Sequence, residues 1–372
     1  MKLTIERGAL LKTLAHVQSV VERRNTIPIL SNVLVEAAEG RLSLTATDMD
    51  LTIVDWVAAE VAEPGATTTP AHTFYDIVRK LPDGAQVEIA SAGDGNQITV
   101  RSGRSVFTLA TLPREDFPAS SEAELPYSFT VDPKELRNLI DRTRFAISTE
   151  ETRYYLNGIY LHAGESGGVP VLRAVATDGH RLARFEMPLP EGAANLPGVI
   201  VPRKAVGEVR KLIEETEEAV EIGLSDTRIR VGFDSTVLTS KLIDGTFPDY
   251  ERVIPTGNDK MLQVDCSSFK EAVDRVSTIS SEKSRAVKLM IEGETITLTA
   301  NSPENGTATE EVPAAYKGPA MEIGFNSRYL LDIAQQIEGG EAEISLADSA
   351  SPTIMRDTAD SSALYVLMPM RV

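Results

Sequence analysis

The chain has 372 residues, 42% of them hydrophobic, and a formal net charge of −18. That is enough apolar chain for roughly two to three domains with real cores, and the anionic surface it implies repels free nucleic acid at long range. The lone cysteine, Cys266, excludes an intrachain disulfide, no apolar run approaches the roughly 20 residues of a membrane span, and the amino terminus lacks a leader pattern; a cytoplasmic, reducing setting with no membrane partner is expected.

In chain order, Leu3-Thr4-Ile5 alternates as a strand and Leu10, Leu11, Leu14, Val17 and Val21 follow at helical spacing, with Arg23 and Arg24 expected at the end of that helix. A second helix is predicted over about 71–81, and Gly93-Asp94-Gly95-Asn96 reads as a hairpin turn between strands 87–91 and 97–101. The series then restarts. Asp132 is placed to cap a helix with Pro133 in its first turn and Glu135 two residues on, and Leu136, Ile140, Thr143 and Ile147 form its apolar stripe. A further helix is predicted over 203–215, and a third series follows with Phe269, Val273 and Val276 and a last helix over 327–337.

These series are one unit written three times. Val87-Glu88-Ile89, Val220-Glu221-Ile222 and Ala342-Glu343-Ile344 lie 133 and 122 residues apart, each after an amphipathic run ending Val78-Arg79-Lys80-Leu81, Val209-Arg210-Lys211-Leu212 or Ala334-Gln335-Gln336-Ile337. A polar turn recurs as Leu44-Thr45-Ala46-Thr47-Asp48, Val175-Ala176-Thr177-Asp178 and Leu298-Thr299-Ala300-Asn301-Ser302. Linkers near 122–127 and 254–261 set expected domains at 1–124, 125–256 and 257–372, each an α+β unit with two helices packed on small antiparallel sheets.

The cations are segregated onto helices. Lys134, Arg137 and Arg144 project about 100° from the apolar stripe of their helix. Lys204 and Lys211 lie opposite Val206, Val209 and Ile213, Arg79 and Lys80 end the second helix, and the third unit adds Arg328, Lys270, Arg275 and Lys283. One such stripe is ordinarily a solvated face. Recurrence on equivalent helices suits an arc whose concave side meets an anionic rod, giving binding that is salt-dependent and blind to base sequence. A peptide-binding scaffold that never meets nucleic acid is the rival reading, favoured by the bulk charge and opposed by this segregation. For an enzyme the sequence offers little: four histidines at 16, 72, 162 and 180 form no ligand pattern, and no nucleophile turn is present. Thr177-Asp178-Gly179-His180 occupies the place of Thr47-Asp48-Met49-Asp50, so it is read as a structural turn; no catalytic residue, metal or cofactor is expected.

Several segments resemble the bacterial sliding-clamp family, the β subunits of the replicative DNA polymerase III holoenzyme. They are Arg24-Asn25-Thr26-Ile27-Pro28-Ile29-Leu30, Arg153-Tyr154-Tyr155-Leu156-Asn157-Gly158, Ala176-Thr177-Asp178-Gly179-His180-Arg181-Leu182-Ala183, Phe247-Pro248-Asp249-Tyr250 and Met368-Pro369-Met370-Arg371-Val372. The resemblance implies a DNA-clamp domain in three tandem copies, two chains closing head to tail as a homodimer into a six-domain ring, and a processivity factor that slides on duplex DNA without regard to sequence. Its implied partners are the polymerase catalytic subunit, an ATP-driven clamp loader, and other polymerases and repair factors carrying a clamp-binding motif. It implies DNA contacts from Arg24, Arg79, Tyr154, Tyr155, Arg203 and Lys204. It implies a partner-peptide pocket of Leu156, Thr177, Gly179, His180, Arg181, Leu182, Pro248, Arg252, Val253, Val366, Leu367, Met368, Pro369, Met370 and Arg371, with Arg181 and Arg252 offering charge at the rim. The dimer interface would use Phe107, Thr278 and Ile279, flanked by Arg101 and Arg104 on one side and by Glu304, Glu310 and Glu311 on the other. The chain departs from the family pattern at Asn25, Glu150, His72 and Thr73, which puts individual DNA contacts and one interface ion pair in question.

Overall fold

Three times along the chain a short strand runs straight into a helix through an acidic cap. Glu6 accepts from Ala9 N (2.9 Å) before α1 (Arg7–Gln18), Asp132 from Lys134 N (2.8 Å) before α3 (Pro133–Asp141), and Asp265 from Ser268 N (2.8 Å) before α5 (Cys266–Ser277). A carboxylate there satisfies an orphan N–H and meets the positive end of the helix dipole. The second helices are α2 (Ala71–Lys80), α4 (Arg203–Leu212) and α6 (Ser327–Ala334). The computed structural model describes residues 1–91, 95–118, 124–280 and 285–371. Gly93 and Asp94 of the predicted hairpin turn, linker residues Glu122 and Ala123, and Lys283 lie outside them.

Three helix ends differ from expectation: α3 stops at Asp141, so Thr143, Arg144 and Ile147 lie beyond it and Arg144 opens a separate 3-10 turn, and α6 stops at Ala334, short of residue 337. The first helix stops at Gln18, where Val20 N and Val21 N turn back onto Val17 O and Gln18 O (3.3 and 3.2 Å) and both valines enter the core. Arg23 and Arg24 therefore lie in the following loop instead of ending the helix.

Among the described residues the strands form antiparallel sheets of five, eight and twelve strands. The chain divides into two compact units that cut across the repeats. One comprises Met1–Lys134, Glu191–Leu196 and Lys204–Leu242; the other comprises Glu135–Pro190, Pro197–Arg203 and Ile243–Val372, of which Val372 lies beyond the described residues.

The first unit holds the five- and eight-stranded sheets. In the larger, strand Thr236–Lys241 of the second repeat pairs with strand Leu51–Ala58 of the first, Thr236 opposite Asp55 and Ser240 opposite Leu51. The second unit holds the twelve-stranded sheet, in which Arg181–Pro188 pairs with Ala363–Leu367, Arg181 opposite Leu367. Successive repeats are thus joined by backbone hydrogen bonds. Over the second seam lies a core of Leu156, Val175, Leu182, Ile200, Phe247, Tyr250, Ile354, Leu364 and Val366. No described helix is long and apolar enough to cross a membrane.

Candidate functional site

A cleft of about 370 Å³ opens over that seam, wholly within the second unit. Its rim is the turn at 177–180, which holds itself together. Thr177 Oγ1 donates to Arg181 O (2.7 Å), Gly179 N to Thr177 Oγ1 (3.1 Å), and His180 N and Arg181 N to Asp178 Oδ1 (3.0 and 3.1 Å). The turn at 47–50 uses the same bonds: Thr47 Oγ1 to Leu51 O (3.1 Å), Met49 N to Thr47 Oγ1 (3.1 Å), Asp50 N and Leu51 N to Asp48 Oδ1 (3.0 and 2.7 Å). Both need a left-handed third residue, Met49 at φ 80° and Gly179 at φ 87°. At 179 glycine takes the left-handed φ without strain, and a Cβ there would have to displace the Arg153 guanidinium. Asp178 spends its oxygens on backbone N–H groups and Arg181 Nε (3.2 Å), while the His180 ring stacks against Tyr329 at 6.1 Å. The pair is not arranged for acid–base work.

Arg181 is a strut and not the rim charge the sequence suggested. Its side chain is 8% exposed, with Nη1 donating to Asp332 Oδ2 (2.6 Å) and Nη2 to Phe145 O (2.7 Å). The guanidinium lies 4.3 Å from the Tyr329 ring centroid and 5.1 Å from that of Phe145. Its charge is consumed internally. Arg153 plays a similar part, gripping Glu150 with two bonds (2.8 and 2.7 Å) and donating to Asp178 O (3.0 Å); those bonds hold the Glu150 carboxyl below its ordinary pKa.

Tyr250 of the cleft lining belongs to an aromatic group packed in the core of the second unit. Phe247 stacks on Tyr160 (4.8 Å, 10° between planes), Tyr160 on His162 (4.8 Å), and His162 Nε2 bonds the Tyr250 hydroxyl (2.9 Å). Burial raises the Tyr250 pKa and lowers that of His162, so both are neutral near pH 7. The apolar part of the lining, Leu156, Leu182, Pro248, Val253, Val366 and Met368, can accept apolar side chains.

Of the residues expected here, Leu156, Thr177, Gly179, His180, Arg181, Leu182, Pro248, Val253, Val366 and Met368 line the cleft. Leu367 does not: strand alternation turns it to the opposite face of the sheet, where it is fully buried. Arg252 lies outside the lining, 85% exposed and paired with Asp249 (2.7 Å). Pro369, Met370 and Arg371 also leave the lining, since Met370 N bonds Gly324 O (2.9 Å) and carries the chain end away. Sequence reading missed Arg153, Asp249 and Tyr250, and it placed Tyr155 at DNA instead of in the cleft. All four fall inside the segments that carried the family resemblance, which was the available signal.

The residues expected at DNA divide by how they are engaged. Arg24 and Arg203 are exposed, with no carboxylate partner among the described residues, and Tyr154 is 53% exposed. Arg79 is half-exposed beside Asp76 (3.2 Å) and the Tyr75 ring (5.8 Å). Tyr155 instead lines the cleft and meets Tyr154 edge-on at 5.7 Å. Lys204 bonds Val20 O (3.2 Å), Glu22 Oε1 (3.5 Å) and Asp48 Oδ2. Other cations of the stripes are also matched: Lys211 by Glu208 (2.8 Å), Arg144 by Asp141 (3.2 Å) and Arg275 by Glu310 (2.6 Å). His72 holds Gln18 Oε1 and Val21 O (2.9 and 2.8 Å).

Each unit leaves a strand edge open. In the first, Ser105–Ala110 ends the five-stranded sheet, with Phe107 half-buried and Val106 54% exposed; Arg101 and Arg104 stand exposed nearby in sequence. In the second, Gly306–Lys317 pairs with Thr295–Ser302 through Pro313, but among the described residues it pairs on its other side only from Ala314 to Lys317, with Lys260–Asp265. Glu304 is exposed just before that strand, and Thr278 and Ile279 follow α5.

Family models for the DNA polymerase III beta subunit match in tandem: the N-terminal domain over residues 1–121, the central domain over 130–249 and the C-terminal domain over 251–371. The beta sliding clamp of Caulobacter vibrioides (strain NA1000 / CB15N) is 58% identical over 372 residues, covering 100% of both chains. Among solved structures, the DNA polymerase sliding clamp from Caulobacter crescentus aligns with a TM-score of 0.96 at 57% identity, and a Bartonella birtlesii sliding clamp bound to griselimycin with a TM-score of 0.97 at 50% identity, each covering 100% of both chains.

Proposed function

Because the chain belongs to the DNA polymerase III beta subunit family, we propose that it is a non-catalytic processivity factor: two copies close head to tail around duplex DNA, slide along it and tether the replicative polymerase. The observation that carries this reading is the whole-length correspondence with three clamp-domain families in tandem. Holding by enclosure needs little contact energy, and tight phosphate binding would act as a brake. The state of the cations supports that economy, since Lys204, Lys211 and Arg144 already have carboxylate partners. Arg24, Arg79, Tyr154 and Arg203 keep exposed tips and are the DNA contacts we assign.

Ring closure joins the two open strand edges of different copies, Ser105–Ala110 of one and Gly306–Lys317 of the next. Added strand pairing supplies direction and register, while Phe107, Ile279 and the exposed Val106 supply apolar area. Arg101 and Arg104 would face Glu304 and Glu311 across it. A limited interface of this kind can be separated by an ATP-driven loader.

The cleft takes the apolar side chains of a short motif shared by the polymerase, the loader and repair factors. One cleft per chain gives two per ring, so partners compete. That a relative at 50% identity is found bound to griselimycin supports a ligand-accepting site in this family. The test of encirclement is retention on nicked circular DNA after loading. Release on cutting the circle is expected; retention unchanged by linearisation would refute it.

A further inference from the structure

We propose that Lys204 is a positioning residue: it pins the arginine-bearing loop after α1 to the turn at Asp48 and so presents Arg23 and Arg24, without meeting phosphate itself. The proposal rests on the DNA-encircling reading for its consequence but not for its structural content.

An ammonium has three N–H donors, and here Val20 O (3.2 Å), Glu22 Oε1 (3.5 Å) and Asp48 Oδ2 take them. Asp48 is also held independently of the lysine, since its other oxygen accepts Asp50 N and Leu51 N (3.0 and 2.7 Å) within the turn. Lys204 therefore ties a rigid turn to a loop. A second side chain acts one residue on: His72 Nε2 lies 2.8 Å from Val21 O. Two successive carbonyls of the loop are thus held by residues in the first turns of two helices, Lys204 on α4 and His72 on α2. Beyond Val21 the chain emerges from the core, with Arg23 and Arg24 exposed and without carboxylate partners among the described residues. Burial alone would lower the Lys204 pKa, but the bond and charge of Asp48 raise it, so the clasp stays charged at neutral pH.

The discriminating variants are Lys204→Met and Asp48→Asn, the latter retaining an oxygen for the turn. Amide hydrogen exchange of residues 21–27 in the free protein should accelerate roughly fivefold or more in both, and retention on nicked circular DNA should fall in both. A simple electrostatic role gives the opposite sign for Asp48→Asn, because removing an anion and freeing a lysine strengthens attraction to DNA. Unchanged loop exchange in Lys204→Met, or stronger DNA retention by Asp48→Asn, overturns the proposal. If the wild-type protein were never retained on circular DNA, the encirclement reading would fail while the exchange measurement still decided the clasp.

Discussion

Replacing Arg181 with methionine keeps the apolar stem but strands two carboxylates. Asp332 is 25% exposed and Asp178 16%, so water can reach part of each. Removing one member of a buried pair costs about 3–5 kcal/mol, and that partial exposure argues for the lower end, about 3 kcal/mol. The bond to Phe145 O adds about 1 kcal/mol, while methionine retains some contact with the flanking rings. The expected loss is about 3–4 kcal/mol, concentrated in the second unit, where Arg181 links strand Arg181–Pro188 to α6. A single unfolding transition is a poor reporter in a chain with two compact units, so native-state amide exchange at the core amides of Ala183 and Phe185 is the suitable assay. It should show protection falling by roughly 10²–10³-fold. A cycle with Asp332→Asn should then give a coupling of about 1.5–3 kcal/mol. A loss below about 1 kcal/mol, or strict additivity, would refute the strut.

Other outcomes follow from the same geometry. The His16 ring is largely buried, which alone would depress its pKa, but Asp55 at 2.7 Å and Glu215 at 3.3 Å raise it overall. A raised folded-state pKa means that this stabilisation is full below about pH 6.5 and fades as pH rises through the folded value. The urea midpoint reported by Trp56, the only tryptophan, should therefore fall between pH 6 and 9, and His16→Gln should flatten that slope; an identical slope in the variant removes His16 as its source. Gly179→Ala forces a side chain into a left-handed position under Arg153, costing about 1–2 kcal/mol, and should weaken a clamp-motif peptide at least about tenfold by fluorescence polarisation. Deleting residues 368–372 removes Met368, whose N–H bonds His180 O (2.9 Å); peptide affinity should drop with the oligomer intact, and full affinity would count against the cleft. Val106→Glu is expected to cost under about 0.5 kcal/mol in a single chain yet place a charge in the proposed closure interface. Sedimentation should then show dissociation, and an unchanged dimer mass would move that interface elsewhere.

Much of this protein could be read from one-dimensional pattern. The threefold period, the acidic residues before the first helices and the matching turns at 47–50 and 177–180 depend on bonds between residues two to four apart, as from Asp178 to His180 and Arg181. Local order of residue types is enough to specify them. The tertiary structure decided what each charge does. Arg181 and Arg252 look alike in sequence as rim cations, yet one is buried against a carboxylate 151 residues away and the other is 85% exposed. Lys204 fits a basic helical stripe, but its partner Asp48 lies 156 residues earlier. Leu367 and Val366 are equally apolar, and only the seam pairing of their strand turns one to the cleft and the other away. The reason is common to all: helical periodicity and capping are set by near neighbours, whereas neutralisation and facing depend on which distant strand edge or carboxylate the fold brings alongside.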